Sequence, residues 1–312
     1  MPSDHQQHIV PVASLLSAVV LVGLWDIKNK KIVEVGSGFI VDKKRGLIVT
    51  AAHTVINIWA QEESGSFGSE YKGLKSAKIV IGVIPSDPKP KVERINNDTT
   101  AVFRYFAKIV MKDKLITSED RCEVDACVLS ITTKLENDVS GQVKECGEQS
   151  EILLLHDSDA MKSENLQQLK LTEISHLEEN VRILGYNQGG EGLERPGSYL
   201  NRCADFAQGH VTYIFRSTAI ETPLSSASPL SIKDERKFKP REEIVVTCST
   251  IAGHSGGPCV NQQGEVIGIL SRSDPADRQR CYLVPTNCFK DMIKKAKKRS
   301  SSYHSEMIHF QI

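Results

Sequence analysis

The sequence carries no net charge, no paired-cysteine metal motif and no clean apolar run long enough to cross a bilayer. Its 39 basic and 39 acidic residues cancel, so no global field recruits nucleic acid or an anionic membrane. The one strongly basic stretch, Lys290 to Arg299 with Lys294, Lys295, Lys297 and Lys298, reads as the solvated face of a terminal helix. Eight cysteines (Cys122, Cys127, Cys146, Cys203, Cys248, Cys259, Cys281 and Cys288) form no C-x-x-C pair, which argues against a zinc site. Neither a metal nor a cofactor is expected. Ile9 to Trp25 is apolar, yet no Lys or Arg precedes it, Asp4 lies ahead of it and no small-x-small site ends it. It therefore does not read as a secretory signal, and it is too short and interrupted for a membrane span. Several cysteines sit in apolar strand-like runs, where Cys behaves as a small hydrophobe. With no signal, this points to a reducing, cytoplasmic compartment. No short-period repeat is present.

What the chain does have is size and strand rhythm. At 312 residues, 40% hydrophobic and 25% charged, it is long enough for one large domain or two modest ones with a substantial core. Short apolar runs recur: Val19–Trp25, Ile32–Val35, Gly38–Val41, Leu47–Thr50, Ile79–Ile84, Ala107–Met111, Ala126–Ile131 and Ile152–Leu155. Further runs are Val181–Gly185, His210–Phe215, Ile244–Thr247, Pro258–Val260, Val266–Ser271 and Tyr282–Val284. Many short strands separated by turn residues predict an all-β barrel or sandwich. Helical signals are few. Ser163 to Leu171 has weak helical spacing, and Thr286 to Lys298 reads as a closing helix with Thr286 as its N-cap. Gln61 to Gly73, Pro85 to Thr100 and Thr222 to Arg241 read as surface insertions, and the tail after Ser300 as loose.

Three segments carry chemistry. Gly253-His254-Ser255-Gly256-Gly257-Pro258 holds one serine in a glycine-rich turn between β-patterned runs. Glycines there permit positive φ without a Cβ clash, and paired N–H groups of such a turn can form an oxyanion hole. Upstream, Leu47-Ile48-Val49-Thr50-Ala51-Ala52-His53 is a strand ending in small residues and then a histidine, so the imidazole can stand clear at a rim. Asp125 opens the apolar strand Asp125–Ile131, where a buried acid needs a partner; His53 is the natural one. Asp113, Asp120 and Glu123 compete for that role, each in a more polar stretch.

The order His…Asp…Ser, with T-A-A-H before and G-x-S-G-G-P after, resembles the chymotrypsin-like serine peptidases over roughly Leu15 to Lys294. Within them it looks closest to the HtrA/Deg branch. Gly36–Val41 is similar to that branch's G-S-G-F-I strand, Asp125–Ile131 to its D-x-A-x-L-x-I strand, Val181–Tyr186 to the strand opening its second barrel, and Gly264–Ile269 to its return hairpin. The resemblance implies two six-stranded antiparallel β-barrels with a C-terminal helix: an N-terminal barrel over 15–175 carrying His and Asp, a C-terminal barrel with the closing helix over 176–298 carrying Ser, and a flexible tail over 299–312. It implies His53 as general base, Asp125 as its orienter and Ser255 as nucleophile. The oxyanion hole would use Gly253 and Ser255, helped by His254. Ser271 would lie on the strand that pairs with the substrate backbone, and Ser249 at the pocket floor. With Ser249 uncharged, a preference for small or medium apolar side chains is expected, with Arg272 able to reshape the pocket.

The chain departs from the secreted members of that family. Thr54 stands where they keep a cysteine after the histidine, and His254 where they keep an aspartate before the serine. No PDZ domain is expected after Pro258, where about fifty residues remain. The partner implied is a protein or peptide substrate, with no nucleic acid, no membrane span and homo-oligomerisation as an option. A protease-like scaffold that has lost activity and binds partners is the alternative to an active endopeptidase.

Overall fold

A computed structural model describes residues 9–26, 31–55, 77–84, 100–113, 115–116, 121–122, 124–134, 166–173, 177–187, 199–215, 242–250, 252–274, 276–277 and 279–309. A short helix, α1 (Val12–Leu16), leads into β1 (Val19–Asp26), β2 (Lys31–Asp42) and β3 (Leu47–Thr50). A single 3₁₀ turn (Ala52–Thr54) follows, then β4 (Ala77–Val83), β5 (Thr100–Lys112), the small pair β6 (Leu115–Ile116) and β7 (Arg121–Cys122), and β8 (Cys127–Lys134). The second half contains β9 (Asn180–Tyr186), β10 (Tyr199–Phe215), β11 (Glu243–Thr247), β12 (Pro258–Val260), β13 (Val266–Ser273), β14 (Arg280–Pro285) and a last helix, α2 (Thr286–His309).

The strands close two six-stranded antiparallel barrels. The first runs β1-β2-β3-β8-β5-β4 and back to β1, the second β9-β10-β11-β14-β13-β12 and back to β9. β10 also pairs with β5, through Tyr199↔Val102 and Cys203↔Thr100. The expected architecture is therefore the one observed. Ile32–Val35 and Gly38–Val41, separate runs in the sequence, are one strand (β2), because Gly36 and Ser37 pair in register with Val22 and Leu21 of β1.

Near-continuous apolar strands follow from what lies on each face. β1 alternates with the pleat: Val20, Val22 and Leu24 point into the first barrel with Ile40, Ile81 and Tyr105. Val19, Leu21 and Trp25 point outward into a layer shared with Leu184, Tyr186 and Ile269 of the second barrel and Phe289 of α2. The second barrel is filled by Ile183, Val211, Val246, Cys259, Ile267 and Leu283. β1 thus has both faces buried, one in a barrel and one in the layer between barrels, so period-2 polar alternation is lost there, while β10 keeps a wet face with Phe206 and Tyr213 exposed.

The segment between the barrels differs from expectation. Residues 166–173 form an extended strap, not a helix. Leu169 N–H donates to the Ile40 carbonyl at 3.0 Å, Val266 N–H to Lys170 at 2.8 Å and Thr172 N–H to Val266 at 2.8 Å. Those ladder bonds to both barrels, with Leu166 and Leu169 buried, outweigh a weak local helical spacing. The closing helix runs past Lys298 to His309. Thr286, expected as its cap, is its first residue, and its hydroxyl donates to the Thr172 carbonyl at 2.5 Å. Phe289, Met292, Ile293 and Ala296 repeat at helical spacing and are all buried, while Lys294, Lys295 and Lys298 are exposed. The basic stretch is thus the outer face of an amphipathic helix. No described helix is long and apolar enough to cross a membrane. The expected strand Ile152–Leu155 and the insertions over 61–73, 85–99 and 222–241 lie outside the described residues.

Phe289 is fully buried and is the helix's largest anchor in the inter-barrel layer. Phe289→Ala should lower unfolding free energy by about 3–5 kcal/mol, read as an earlier urea midpoint at unchanged m-value.

Candidate active site

The register of β3 against β8 brings the histidine and the acid together. Thr50 lies opposite Cys127, so in an antiparallel pair the residues just past Thr50 face those just before Cys127. The chain leaves β3 at Ala51 in extended geometry and turns at once into the 3₁₀ helix that holds His53. The main-chain N–H of His53 donates to Asp125 Oδ1 at 3.0 Å, and His53 Nδ1 lies 2.9 Å from Asp125 Oδ2. A carboxylate can only accept, so Nδ1 carries the proton in the neutral ring and Nε2 is left as the basic nitrogen. The imidazole is 40% exposed and the carboxylate 13%, so the ring is open to solvent while its partner is shielded.

A third donor comes from the other barrel. Ser271 Oγ, on β13, donates to Asp125 Oδ2 at 2.5 Å. Burial raises the carboxyl pKa, but hydrogen bonds and charge from His53, with the Ser271 hydroxyl, outweigh it and hold Asp125 below its ordinary value. Asp125 is ionised wherever His53 is to act as a base.

The serine turn is folded by its glycines. Gly253 and Gly256 have φ of 100° and 83°, a region that L side chains avoid. A Cβ on Gly256 would also collide with the Ser37 carbonyl, the Thr50 hydroxyl and the Ala51 nitrogen. That close approach presses the residue after Ser255 against the chain two positions before His53. Gly257 N–H closes the turn on the His254 carbonyl at 2.9 Å, and Gly256 N–H donates to Leu270 at 2.8 Å. Ser255 is half-buried, and its hydroxyl has no partner among the described residues. The main-chain N–H groups of Gly253 and Ser255 likewise donate to nothing among them.

His254 turns inward. It is 1% exposed, and neither ring nitrogen finds a hydrogen-bond partner among the described residues. Burial pushes its pKa down, only partly offset by Asp205, so the ring stays neutral where secreted relatives of the resembled family keep an acid.

Of the remaining expected site residues, Ser271 and Arg272 are engaged within the protein. Ser271 lies on β13 as expected, but its side chain supports Asp125. Arg272 forms a two-point ion pair with Glu243, at 2.5 and 2.9 Å, and its guanidinium stacks 4.1 Å over the Tyr282 ring. Its charge is therefore already matched. Ser249 is exposed just past β11, and its neighbour Thr250 shares a 2.8 Å hydroxyl contact with Ser273. Of the competing acids, Asp113 sits just past the end of β5, while Asp120 and Glu123 lie outside the described residues. Ser37 was not singled out by the sequence reading. It is fully buried and hydrogen-bonds the serine turn at both Gly253 and Ser255. Its only sequence signal is a hydroxyl between two glycines of an apolar strand.

Two antiparallel barrels, one supplying a histidine held on a carboxylate and the other a serine in a glycine turn, define a chymotrypsin-like peptidase architecture. The chain belongs to the family of the trypsin-like peptidase domain, whose model matches residues 36–269. Among curated proteins, none matches it significantly. Of solved structures, the active form of the Rv3671c protease from M. tuberculosis is 16% identical, with 95% of this chain and 93% of that one covered and a TM-score of 0.51. Deg5 is 14% identical, with 89% and 88% covered and a TM-score of 0.50. At such identities these likenesses speak for the fold, which is that of the branch the motifs resemble.

The lowered carboxyl pKa has a stability consequence. Because the folded value lies below the ordinary 3.8, the folded state holds the proton less tightly than the unfolded chain. The stabilisation is complete above that value and is lost as pH falls through the folded one. Urea unfolding between pH 6 and pH 2 should show a larger acid-side loss in the wild type than in Asp125→Asn; parallel curves would contradict it.

Proposed function

We propose that the chain is a serine endopeptidase acting through His53, Asp125 and Ser255. The observation that carries this reading is the two-point hold of Asp125 on His53, which fixes the tautomer and leaves Nε2 as the base. In the proposed cycle Nε2 takes the Ser255 proton as Oγ attacks the peptide carbonyl. The developing oxyanion is met by the Gly253 and Ser255 N–H groups, which have no partner among the described residues. The imidazolium, stabilised by the Asp125 carboxylate, then gives its proton to the leaving amine. Water, deprotonated by the same nitrogen, attacks the acyl-enzyme and releases the acid product.

Substrate preference is proposed on narrower ground. Ser249 is exposed, the hydroxyls of Thr250 and Ser273 pair with each other, and the Arg272 charge is matched by Glu243. This favours small uncharged side chains at the cleaved bond over Lys, Arg, Asp or Glu. Thiols fit a reducing compartment: Cys248, Cys259, Cys281 and Cys288 are unbridged, and burial raises the Cys248 and Cys288 pKa values to about 12.

A fluorophosphonate probe should label the wild type at Ser255 and leave Ser255→Ala unlabelled. Asp125→Asn should cut kcat on a peptide substrate by about 10⁴-fold through the wrong tautomer, with circular dichroism unchanged. Equal labelling of Ser255→Ala, or a wild type inert to probe and peptide alike, would replace this reading with that of an inactive scaffold.

A further inference from the structure

The serine turn is not held by its own barrel alone. Ser37 lies in the middle of β2, in the first barrel, and every polar group it has is engaged. Its hydroxyl donates to the Gly253 carbonyl at 2.7 Å and accepts from the Tyr186 N–H of β9 at 2.8 Å. An amide N–H can only donate and a carbonyl only accept, so the hydroxyl proton has one orientation. Its main-chain N–H donates to the Ser255 carbonyl at 2.7 Å, and its carbonyl accepts the Thr50 hydroxyl at 2.7 Å. Gly185 gives the room for this: a Cβ there would lie 3.0 Å from Ser37 Oγ and 2.9 Å from His254 Cα.

These bonds fix peptide planes. In a trans peptide the N–H points opposite to the carbonyl. With the Ser255 carbonyl held on Ser37, the Gly256 N–H faces away and reaches the Leu270 carbonyl at 2.8 Å. The plane between Ser255 and Gly256 is thus stretched between the two barrels. The plane between Gly253 and His254 is pinned by the Ser37 hydroxyl, and the plane between them by the Gly257 N–H on the His254 carbonyl. Three successive planes are set, two by Ser37, and setting the planes on either side of Ser255 fixes the direction of its Cα–Cβ bond.

We propose that Ser37 is a positioning residue for Ser255, its hydroxyl and N–H together setting the nucleophile turn from the opposite barrel. The proposal rests on Ser255 being the nucleophile. Ser37 touches no reacting atom and acts through the main chain of the turn. Small misplacements of a reacting group cost about 10²-fold in rate, so the loss should fall on the chemical step.

The test compares Ser37→Ala with Thr286→Val, which removes a buried hydroxyl bond far along the chain, to Thr172. Labelling of Ser255 by a fluorophosphonate probe, kcat and KM on a peptide substrate, and Tm are measured for each. Ser37→Ala should label about 10- to 100-fold more slowly, with kcat reduced alike and KM within about twofold, while Thr286→Val loses Tm but labels at the wild-type rate. Ser37→Thr keeps the hydroxyl and should label faster than Ser37→Ala. If Ser37→Ala does not fold, Ser37→Cys, a weaker donor of similar size, takes its place with the same ordering expected. A folded Ser37→Ala or Ser37→Cys labelling at the wild-type rate, or a loss appearing in KM alone, would overturn the proposal. A wild type that resists the probe would instead overturn the serine nucleophile on which it rests.

Discussion

One carboxylate gathers donors from both barrels. Asp125 takes the main-chain N–H and ring nitrogen of His53 from the first barrel and the Ser271 hydroxyl from the second. An ionised carboxylate is only tolerable in such shielded surroundings when its lone pairs are occupied. Here the occupants include the His53 ring, whose orientation they set. The main-chain bond fixes where the 3₁₀ turn begins, the ring bond fixes the imidazole plane, and the serine ties both to β13. Separating the barrels would leave the charge under-satisfied, so the electrostatics of the site and the docking of the barrels are one requirement.

Docking itself is hydrophobic. The layer formed by outward residues of β1, β9 and β13, with the buried face of α2, is as apolar as the barrel interiors. Such a layer is close-packed and resists sliding. Against it, the polar crossings have defined length and direction: Ser271 to Asp125, and Ser37 to Gly253, Ser255 and Tyr186. These few bonds tie β13 to Asp125, and β2 to the serine turn and to β9.

His254 shows how the turn differs from a charge-latched one. A carboxylate at this position would need a cationic partner when buried. A neutral imidazole, 1% exposed with no ring partner among the described residues, needs none and instead fills space against Gly185. Among the described residues the turn is held by main-chain and hydroxyl bonds and by packing, with no ion pair.

Much of this was legible in the chain. T-A-A-H, the Asp-led strand and G-H-S-G-G-P stand out in the chain because each carries its own local chemistry: small residues before a rim histidine, an acid opening an apolar strand, glycines at positive φ; the first two meet in the structure as the His53–Asp125 pair. Leu47–Thr50 and Pro258–Val260 matched β3 and β12 end to end, since turn residues bound them closely. The strap at 166–173 was misread because its conformation is imposed by ladder bonds to Ile40 and Val266, which leave no periodic trace in its own residues. Ser37 was passed over for a related reason: its partner Gly253 is 216 residues away. The pairing of Arg272 with Glu243 and Tyr282 had no local signal in the chain either. Sequence alone determined the residue types, their order and the all-β class, which depend on local sterics and hydrophobic pattern. The tertiary structure decided which hydroxyl supports the acid, which one holds the serine turn and which charge is already matched, because those depend on distances between strands remote in sequence.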